Sequence, residues 1–124
     1  MRWERNFNVP SSYVPERGEI IWINFDPQLG HEQAGHRPAF VISPGIYNRK
    51  VGLVLIAPVT SQVKGYPFEV AVPKGHKASG VILCDQIKSF DWHARDAKFC
   101  CKLPQETILE VFNKIRALIL HDLI

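Results

Sequence analysis

The order of hydrophobic and polar positions along the chain predicts a series of short β-strands. Each predicted strand is rich in β-branched or aromatic residues and is bounded by Gly, Pro, Asn or Ser. The runs are residues 19–25, 38–43, 53–60, 68–72 and 81–90. The stretch 44–52 contains Pro, Gly and Asn, so we predict a turn there. Residues 93–102 show no periodicity that assigns them to a strand or a helix.

The C-terminal segment has the spacing of an amphipathic helix. Pro104 suits the first turn of a helix, and Glu106 complements the positive end of the helix dipole. Apolar residues follow at helical spacing: Ile108, Val111, Phe112, Ile115, Leu118 and Ile119. We expect this stripe to pack on the sheet or at a subunit interface. Short strands with one terminal helix predict a mainly β domain, built as a strongly curved antiparallel sheet or barrel.

Length and composition are those of one globular domain. The chain has 124 residues, of which 46% are hydrophobic and 22% charged, so it can bury a core. We place the domain at residues 13–124 and interpret residues 1–12 as a polar arm. No apolar run approaches the roughly 18 residues that span a bilayer, and the N-terminus lacks the pattern of a signal peptide. We therefore expect a soluble, cytoplasmic protein without membrane association.

Cysteine usage argues against a disulfide framework and against a zinc centre. Three cysteines are present, and Cys100 and Cys101 are adjacent. No spacing of Cys and His resembles a zinc site, and no carboxylate cluster suggests a Mg²⁺ site. We expect no metal and no cofactor. A net charge of +3 permits a nucleic-acid partner without requiring one.

A long polar loop within "FDPQLGHEQAGHRPAF" separates the first two predicted strands. Hairpin loops usually have about two to five residues, so a loop of this length indicates a function. Glu32 is a potential proton acceptor, and His36 belongs to the residue type that exchanges protons most readily near neutral pH. Arg37 stands where the loop joins the second strand, and its planar guanidinium suits a phosphate.

Residues outside this loop extend the candidate site. Thr60 ends another predicted strand and offers a hydroxyl, while Lys64 offers a second cation. Four aromatic residues lie near loops where they could stack on unpaired bases: Phe25, Tyr47, Tyr66 and Trp92. Each polar candidate also has an ordinary explanation, such as a surface ion pair for Arg37 or a turn cap for Thr60. We assign Trp22 to the core.

Three blocks and the closing helix carry a family resemblance. The blocks are "YVPERGEIIWINFDPQLGHEQAGHRPAFVISPGIYNRKVG", "PVTSQVKGYPFEV" and "GVILCDQIKSFDWHAR". Together they resemble the MazF toxins of the wider MazF/PemK/Kid group, over residues 13–124. The segments "EQAGHRP", "PVTSQ" and "DQIKS" make the resemblance specific, whereas the arm 1–12, "KFCC" and the final "HDLI" depart from it.

The resemblance implies a fold, an activity and partners. The implied fold is an SH3-like antiparallel barrel with a C-terminal α-helix, working as a homodimer. The implied activity is that of a growth-arresting toxin, a sequence-specific endoribonuclease (mRNA interferase) that cleaves single-stranded RNA without metal. Attack by the 2′-hydroxyl leaves a 2′,3′-cyclic phosphate and a 5′-hydroxyl, and an ACA-like triplet is the first expectation for the cleavage motif. A MazE-like antitoxin is expected to inhibit the toxin through an acidic segment.

The resemblance also implies roles for individual residues. Arg37 and Thr60 occupy the two main catalytic positions, and Glu32 and His36 share the first motif. The general base stays open between Glu32 and His36. The substrate-binding set that we expect is Phe25, Asp26, Gln33, Tyr47, Asn48, Lys64, Tyr66, Gln86 and Lys88.

Two alternatives from other classes remain at this point. One is a non-catalytic toxin of the same fold that binds DNA gyrase, like the CcdB poisons. The other is a plain RNA-binding module of the SH3-like type. The pair of "EQAGHRP" and "PVTSQ" favours the nuclease, because the gyrase poisons are not expected to carry it.

Overall fold

The computed structural model describes residues 13–25 and 36–121. Along these residues the chain forms seven strands and two helices. In chain order they are β1 (Glu19–Asn24), β2 (His36–Val41), α1 (Gly45–Val51), β3 (Leu53–Thr60), β4 (Glu69–Ala71), β5 (Val81–Leu83), β6 (Lys88–Asp91), β7 (Lys98–Lys102) and α2 (Gln105–Leu120). The predicted arm 1–12 lies outside the described residues.

β3 is the central strand of an antiparallel sheet. One edge of β3 pairs with β2. The other edge pairs with β6 along the first half of β3 and with β5 at Val59 and Thr60. The sheet order is β4-β5-β3-β2-β1-β7, with β6 beside β3. The predicted mainly β fold with a C-terminal helix is confirmed. Since the described strands do not close into a ring, the sheet is a barrel only in a loose sense.

Two hydrophobic clusters lie on opposite faces of the sheet. Successive side chains of a strand point to opposite faces. Ile20 of β1 therefore enters the first cluster together with Phe40, while Ile21 and Ile23 enter the second. The first cluster lies against α2, and the second contains Trp92. Burial on both faces explains why the sequence of β1 is almost continuously apolar.

The predicted C-terminal helix is confirmed as α2. Its buried residues include Ile108, Val111 and Ile115. Leu118 and Ile119, at the end of the predicted stripe, are 43% and 59% exposed, so this part of the stripe does not pack on the sheet. The buried face ends one turn earlier, so the last turn of α2 extends beyond the core. Neither described helix is long and apolar enough to cross a membrane.

The segment predicted as a turn at 44–52 contains the helix α1 instead. A helix of seven residues is marginal by itself, so contacts from outside must stabilise it. The Gly45 N–H donates to the Glu16 carboxylate at 3.1 Å, and the side chain of Asn48 is fully buried. α1 ends where Gly52 takes a φ of 83°, a left-handed conformation that glycine adopts readily.

The C-terminal half of the sheet also differs from the prediction. The predicted strand 81–90 is two strands, β5 and β6, separated by a turn in which the Gln86 N–H donates to the Leu83 carbonyl. The unassigned segment 93–102 contains β7, an edge strand beside β1. The pairing of β7 with β1 shifts register between Ile20 and Ile21 of β1. This irregularity breaks the alternation of inward and outward side chains along β7 that would have identified a strand.

Candidate active site

An open cavity of about 340 Å³ lies where the start of β2 meets the end of β3. Its walls come from β1, from these two strands and from the loop that precedes β5. Described residues that line it include Trp22, Arg37, Val59, Thr60, Ser61, Lys77 and Ser79. The cavity therefore holds two cations and three hydroxyl groups. Trp22, which we had assigned to the core, is only half-buried and forms part of this wall.

Strand pairing brings Arg37 and Thr60 together. β2 pairs with β3 through Ala39 opposite Pro58. Continuing this register by two residues sets Arg37 opposite Thr60, and directly opposed residues of antiparallel strands share a face. The two residues assigned to the main catalytic positions therefore line one cavity.

A turn and a close backbone contact fix the position of Thr60. Its hydroxyl oxygen accepts a hydrogen bond from the Gln62 N–H at 3.1 Å, so the turn-capping role is also real. The hydroxyl keeps its own hydrogen for donation to a ligand. Gly80 packs directly on the Thr60 backbone with a φ of 113°. A Cβ on Gly80 would overlap the Thr60 carbonyl oxygen and lie 2.8 Å from the carbonyl carbon, so this approach requires glycine.

Arg37 rests on an aromatic support. Its guanidinium carbon lies 5.1 Å from the ring centroid of Phe25, within the range of a cation–π contact. Phe25 in turn meets Phe90 of β6 edge-to-face, with 5.2 Å between the ring centroids. The support connects Arg37 to the second hydrophobic cluster, which contains Phe90. Phe25 thus has a structural role in addition to any contact with a base.

Arg95 holds the other end of this support. Its guanidinium carbon lies 3.9 Å from the centroid of Phe90. It also donates from Nη1 to the Asn24 carbonyl at 3.0 Å, while the Asn24 N–H donates to the Arg95 carbonyl at 3.1 Å. Because Asn24 precedes Phe25, these contacts fix the position of the Phe25 ring under Arg37.

His36 lies outside the described lining of the cavity. Neighbouring residues of a strand point to opposite faces, so His36 and Arg37 diverge. The Nε2 atom of His36 lies 3.3 Å from a carboxylate oxygen of Asp96 and 3.2 Å from the Asp96 carbonyl. Lys98 approaches the same carboxylate at 3.7 Å. The structure thus pairs His36 with Asp96 and separates it from the cavity that holds Thr60.

Lys77, which the sequence did not single out, is the second cation of the described cavity lining. Lys64, which we predicted for that role, is exposed and is absent from this lining. The Lys64 backbone instead donates to the Glu69 carboxylate at 3.0 Å. A signal for Lys77 was present in the basic, glycine-bearing stretch "PKGHKASG". The sequence could not show that Lys77 lines the same cavity as Thr60, because this depends on the pairing of β3 with β5.

Apart from Phe25, the predicted RNA-binding residues fall into three groups. Tyr47, Tyr66, Lys64, Gln86 and Lys88 are exposed but are not among the described residues that line the cavity. Asp26, Glu32 and Gln33 lie outside the described residues. Asn48 does not fit the prediction, because it is fully buried.

Asn48 has a structural role. Its amide donates to the carbonyls of Pro15 and Ser43 at 2.8 and 3.0 Å, and its side-chain oxygen accepts a bond from the Ser43 hydroxyl. Its backbone carbonyl accepts the indole N–H of Trp92 at 2.8 Å, which buries a second residue that we had considered a stacking platform. These bonds use the polar groups of Asn48 inside the fold, so we remove Asn48 and Trp92 from the RNA-contacting set.

The described residues contain no group of three or more His, Cys, Asp or Glu side chains placed to hold a metal ion. The polar side chains among the described residues that line the cavity are an arginine, a lysine and hydroxyls. Such groups donate hydrogen bonds and carry positive charge, so they suit a phosphate.

Residues 16–119 match the protein family described as PemK-like, MazF-like toxin of type II toxin-antitoxin system. The chain is 50% identical over 109 residues to the endoribonuclease toxin MazF of Escherichia coli K12, which covers 88% of this chain and 97% of that protein. It is 34% identical over 108 residues to endoribonuclease PemK of Escherichia coli, covering 84% of this chain and 81% of that protein.

Solved structures show the same relationship. A crystal structure of MazF from Deinococcus radiodurans matches with a TM-score of 0.78 and 47% identity, covering 87% of this chain and 98% of that chain. A MazE–MazF structure from the same organism matches with a TM-score of 0.78 and 42% identity, covering 87% and 97%. These matches confirm the resemblance and give no support to the gyrase-binding alternative. The chain therefore belongs to the family of PemK-like, MazF-like toxins of type II toxin–antitoxin systems.

Proposed function

We propose that this endoribonuclease toxin cleaves single-stranded RNA at specific sequences and requires no metal ion. The 2′-hydroxyl of one nucleotide attacks the adjacent phosphorus, and the 5′-oxygen of the next nucleotide leaves. The products carry a 2′,3′-cyclic phosphate and a 5′-hydroxyl. The observation that carries the proposal is the single cavity that holds Arg37, Thr60 and Lys77. These groups supply the charge and the donors that a reacting phosphate requires.

Arg37 stabilises the charge that develops on the phosphorane. Its planar guanidinium can donate two parallel hydrogen bonds to the non-bridging oxygens. The contact with Phe25 limits the directions in which the guanidinium can point. Arginine is a poor general acid because a guanidinium does not give up its proton in proteins. The proton for the leaving 5′-oxygen therefore comes from water or moves together with the developing charge.

Thr60 and Lys77 complete the phosphate site. The Thr60 hydroxyl donates to one non-bridging oxygen, with its own oxygen oriented by the Gln62 N–H. Lys77, which lines the same cavity, binds the phosphate group as a point charge. Neither group is suited to remove the proton of the 2′-hydroxyl at neutral pH, so the base must come from elsewhere.

We propose Glu32 as the general base. The reason is the position of the other candidate, since His36 contacts Asp96 and does not belong to the described lining of the cavity. A carboxylate is a competent proton acceptor at neutral pH. In this assignment His36 and Asp96 fix the start of β2, and their contact orients Arg37 through the backbone.

Contacts with the bases set sequence preference. Among the described residues, we assign these contacts to the half-buried Phe25 and to five exposed residues outside the described lining of the cavity: Tyr47, Lys64, Tyr66, Gln86 and Lys88. The rings of Tyr47 and Tyr66, 37% and 38% exposed, offer stacking surfaces. Asp26 and Gln33 belong to the same proposed set through the family resemblance. Hydrogen bonds from Gln86 and Gln33 would read base edges, since amides both donate and accept.

A MazE-like antitoxin is the proposed protein partner. The Deinococcus relative was solved as a MazE–MazF complex. An acidic segment would compete with RNA for Arg37 and Lys77 and for the exposed cations Lys64 and Lys74. Because such contacts are screened by salt, inhibition should weaken as ionic strength rises. An antitoxin that bound equally well when RNA already occupied the site would contradict this competition.

We also propose that the toxin is a homodimer. Leu118 and Ile119, two exposed apolar side chains in the last turn of α2, provide a surface that a second copy could cover. The last turn of α2, which extends beyond the core of one protomer, would then pack in the dimer. In this proposal the first part of the predicted apolar stripe packs on the sheet and its end packs at the subunit interface.

Incubation of the purified protein with a long RNA tests the proposed activity. We expect the same fragments in EDTA as in Mg²⁺, with 5′ ends that polynucleotide kinase labels without prior dephosphorylation. Loss of cleavage in EDTA with recovery in Mg²⁺ would overturn the metal-free mechanism. Binding of the RNA without any cleavage would instead support a plain RNA-binding module.

A further inference from the structure

The two adjacent cysteines of β7 lie with their sulfurs unusually close together. Neighbouring side chains of a regular strand point to opposite faces. Here the pairing of β1 with β7 passes from Ile20 opposite Cys101 to Ile21 opposite Phe99, so Cys100 is an extra residue in the strand. A bulge of this kind breaks the alternation. As a result the Sγ atoms of Cys100 and Cys101 are only 3.7 Å apart.

This geometry does not favour a disulfide. Adjacent residues joined by a trans peptide have Cα atoms about 3.8 Å apart, and the described backbone contains no cis peptide. Disulfides usually need a Cα separation of about 4.4 Å or more. A single bridging atom relieves that constraint. Two sulfurs bonded at about 2.3 Å to one bridging atom lie roughly 3.4–3.8 Å apart for bond angles of about 95–110°, and the observed spacing falls within this range.

The number of protein ligands that are available decides which bridging atom the two sulfurs can hold. Structural zinc requires four protein ligands, and the described residues near the pair supply no group of three or more metal-binding side chains. A trivalent arsenical that carries one organic substituent needs only two sulfurs. It takes both thiols in one chelate, as two S–H bonds break and two As–S bonds form. The arsenic-bound oxygen leaves as water with both protons, and arsenic remains trivalent.

The pair is placed to affect the cavity. Burial, with the neighbouring Cys101 sulfur, raises the pKa of Cys100 to about 11, while Lys77 and a hydrogen bond with the Ala78 backbone act in the opposite direction. Lys77 and Ala78 both line the cavity of Arg37 and Thr60. Cys100 and Ala78 also share the first hydrophobic cluster. We therefore expect a group inserted at the sulfurs to displace the loop that carries Lys77.

We propose that Cys100 and Cys101 form a dithiol site that binds one trivalent arsenical and that occupation of this site weakens RNA binding by displacing Lys77. Cys101, the more exposed of the two, provides access to the reagent. The first part of the proposal concerns the thiols alone. The second part rests on the proposed function, because it assumes that RNA occupies the cavity.

Phenylarsine oxide tests the thiol site directly. The protein is treated, exchanged into excess mercaptoethanol and weighed by intact-mass spectrometry. We expect wild type and Cys84→Ala to retain one phenylarsenic group, which dimercaptopropanol removes. Cys101→Ser should lose the group to mercaptoethanol, since a single sulfur cannot form the chelate. Retention by Cys101→Ser, or no retention by wild type, would overturn the site.

A binding measurement tests the connection to RNA. The ligand is an RNA with a 2′-deoxy nucleotide at the scissile position, which cannot be cut. We expect the arsenical to weaken binding to wild type by about tenfold, as loss of one charged hydrogen bond would, and to leave Cys101→Ser unchanged. A stable adduct with unchanged RNA affinity would overturn the coupling. If no form of the protein bound RNA, the proposed function would fail while the mass measurement still decided the thiol site.

Discussion

The guanidinium of Arg37 lies over the ring of Phe25, with 5.1 Å between the guanidinium carbon and the ring centroid. The same support continues through Phe90 to the guanidinium of Arg95. The aromatic rings of the second hydrophobic cluster thus support the charged side chain of Arg37 at the start of β2. Preorganisation of this kind places charge where the transition state needs it.

Arg95→Ala should lower the single-turnover cleavage rate at saturating RNA with little change in RNA affinity. A cation–π contact contributes about 0.5–2 kcal/mol, so a decrease of roughly 2- to 30-fold is expected. Arg116→Ala, on the exposed side of α2, is the control and should cut normally. In an Arg37→Ala background Arg95→Ala should have almost no further effect. A full effect in that background would show that Arg95 does not act through Arg37.

Gly80→Ala should disturb the site at Thr60. The added Cβ overlaps the Thr60 carbonyl, and the φ of 113° is strained for any other residue. Gly65→Ala is a matched control, because its φ is also positive, at 85°, but a Cβ there meets nothing within 4 Å. We expect Gly80→Ala to lower both Tm and the cleavage rate more than Gly65→Ala does. Equal effects of the two substitutions would contradict the close contact.

The choice of base predicts different results for Glu32 and His36. Glu32→Gln should remove most of the cleavage activity and flatten the acid limb of the pH–rate profile, because its carboxylate accepts the proton. His36→Gln and Asp96→Asn should resemble each other, since both remove one partner of the same contact. If His36→Gln alone abolished the acid limb, His36 rather than Glu32 would be the base.

The proposed dimer predicts a clear response to charge on α2. Ile119→Lys puts an ammonium group on an apolar side chain that is 59% exposed in the protomer. We expect this variant to sediment as a monomer at micromolar concentration, where wild type sediments as a dimer. Val63→Lys, at an exposed apolar side chain of a loop, is the control. A monomeric wild type would refute the dimer.

Much of the fold could be predicted because the pattern of apolar residues along the chain indicates which faces of a strand or helix are buried. The runs that became β1 and β3 are apolar on both faces of the sheet, and α2 follows a helical stripe as far as Ile115. The helix α1 could not be predicted, since contacts with Glu16 and the buried amide of Asn48 stabilise it. The strand β7 was missed because its bulge interrupts the alternation.

The site was predictable only where its residues belong to recognisable motifs. Arg37 and Thr60 came from two such motifs, and strand pairing placed them together. Lys77 and Gly80 belong to a loop whose neighbours are decided by the pairing of β3 with β5. Asn48 entered the RNA-binding set through the family resemblance, and its burial depends on contacts with Pro15 and Ser43 that the sequence does not indicate.

The central claim is that Arg37 acts on charge that develops only in the transition state. Arg37→Ala should therefore lower the single-turnover rate by at least about 10²–10³ while binding the 2′-deoxy RNA with nearly normal affinity. Arg37→Lys should not restore the rate, because an ammonium lacks the planar fork. Lys64→Ala should show the opposite pattern, with weaker binding and a nearly normal rate at saturation. If Arg37→Ala bound the uncleavable RNA much more weakly yet cut natural RNA at a near-normal rate when saturated, Arg37 would be a binding residue and the mechanism would be wrong.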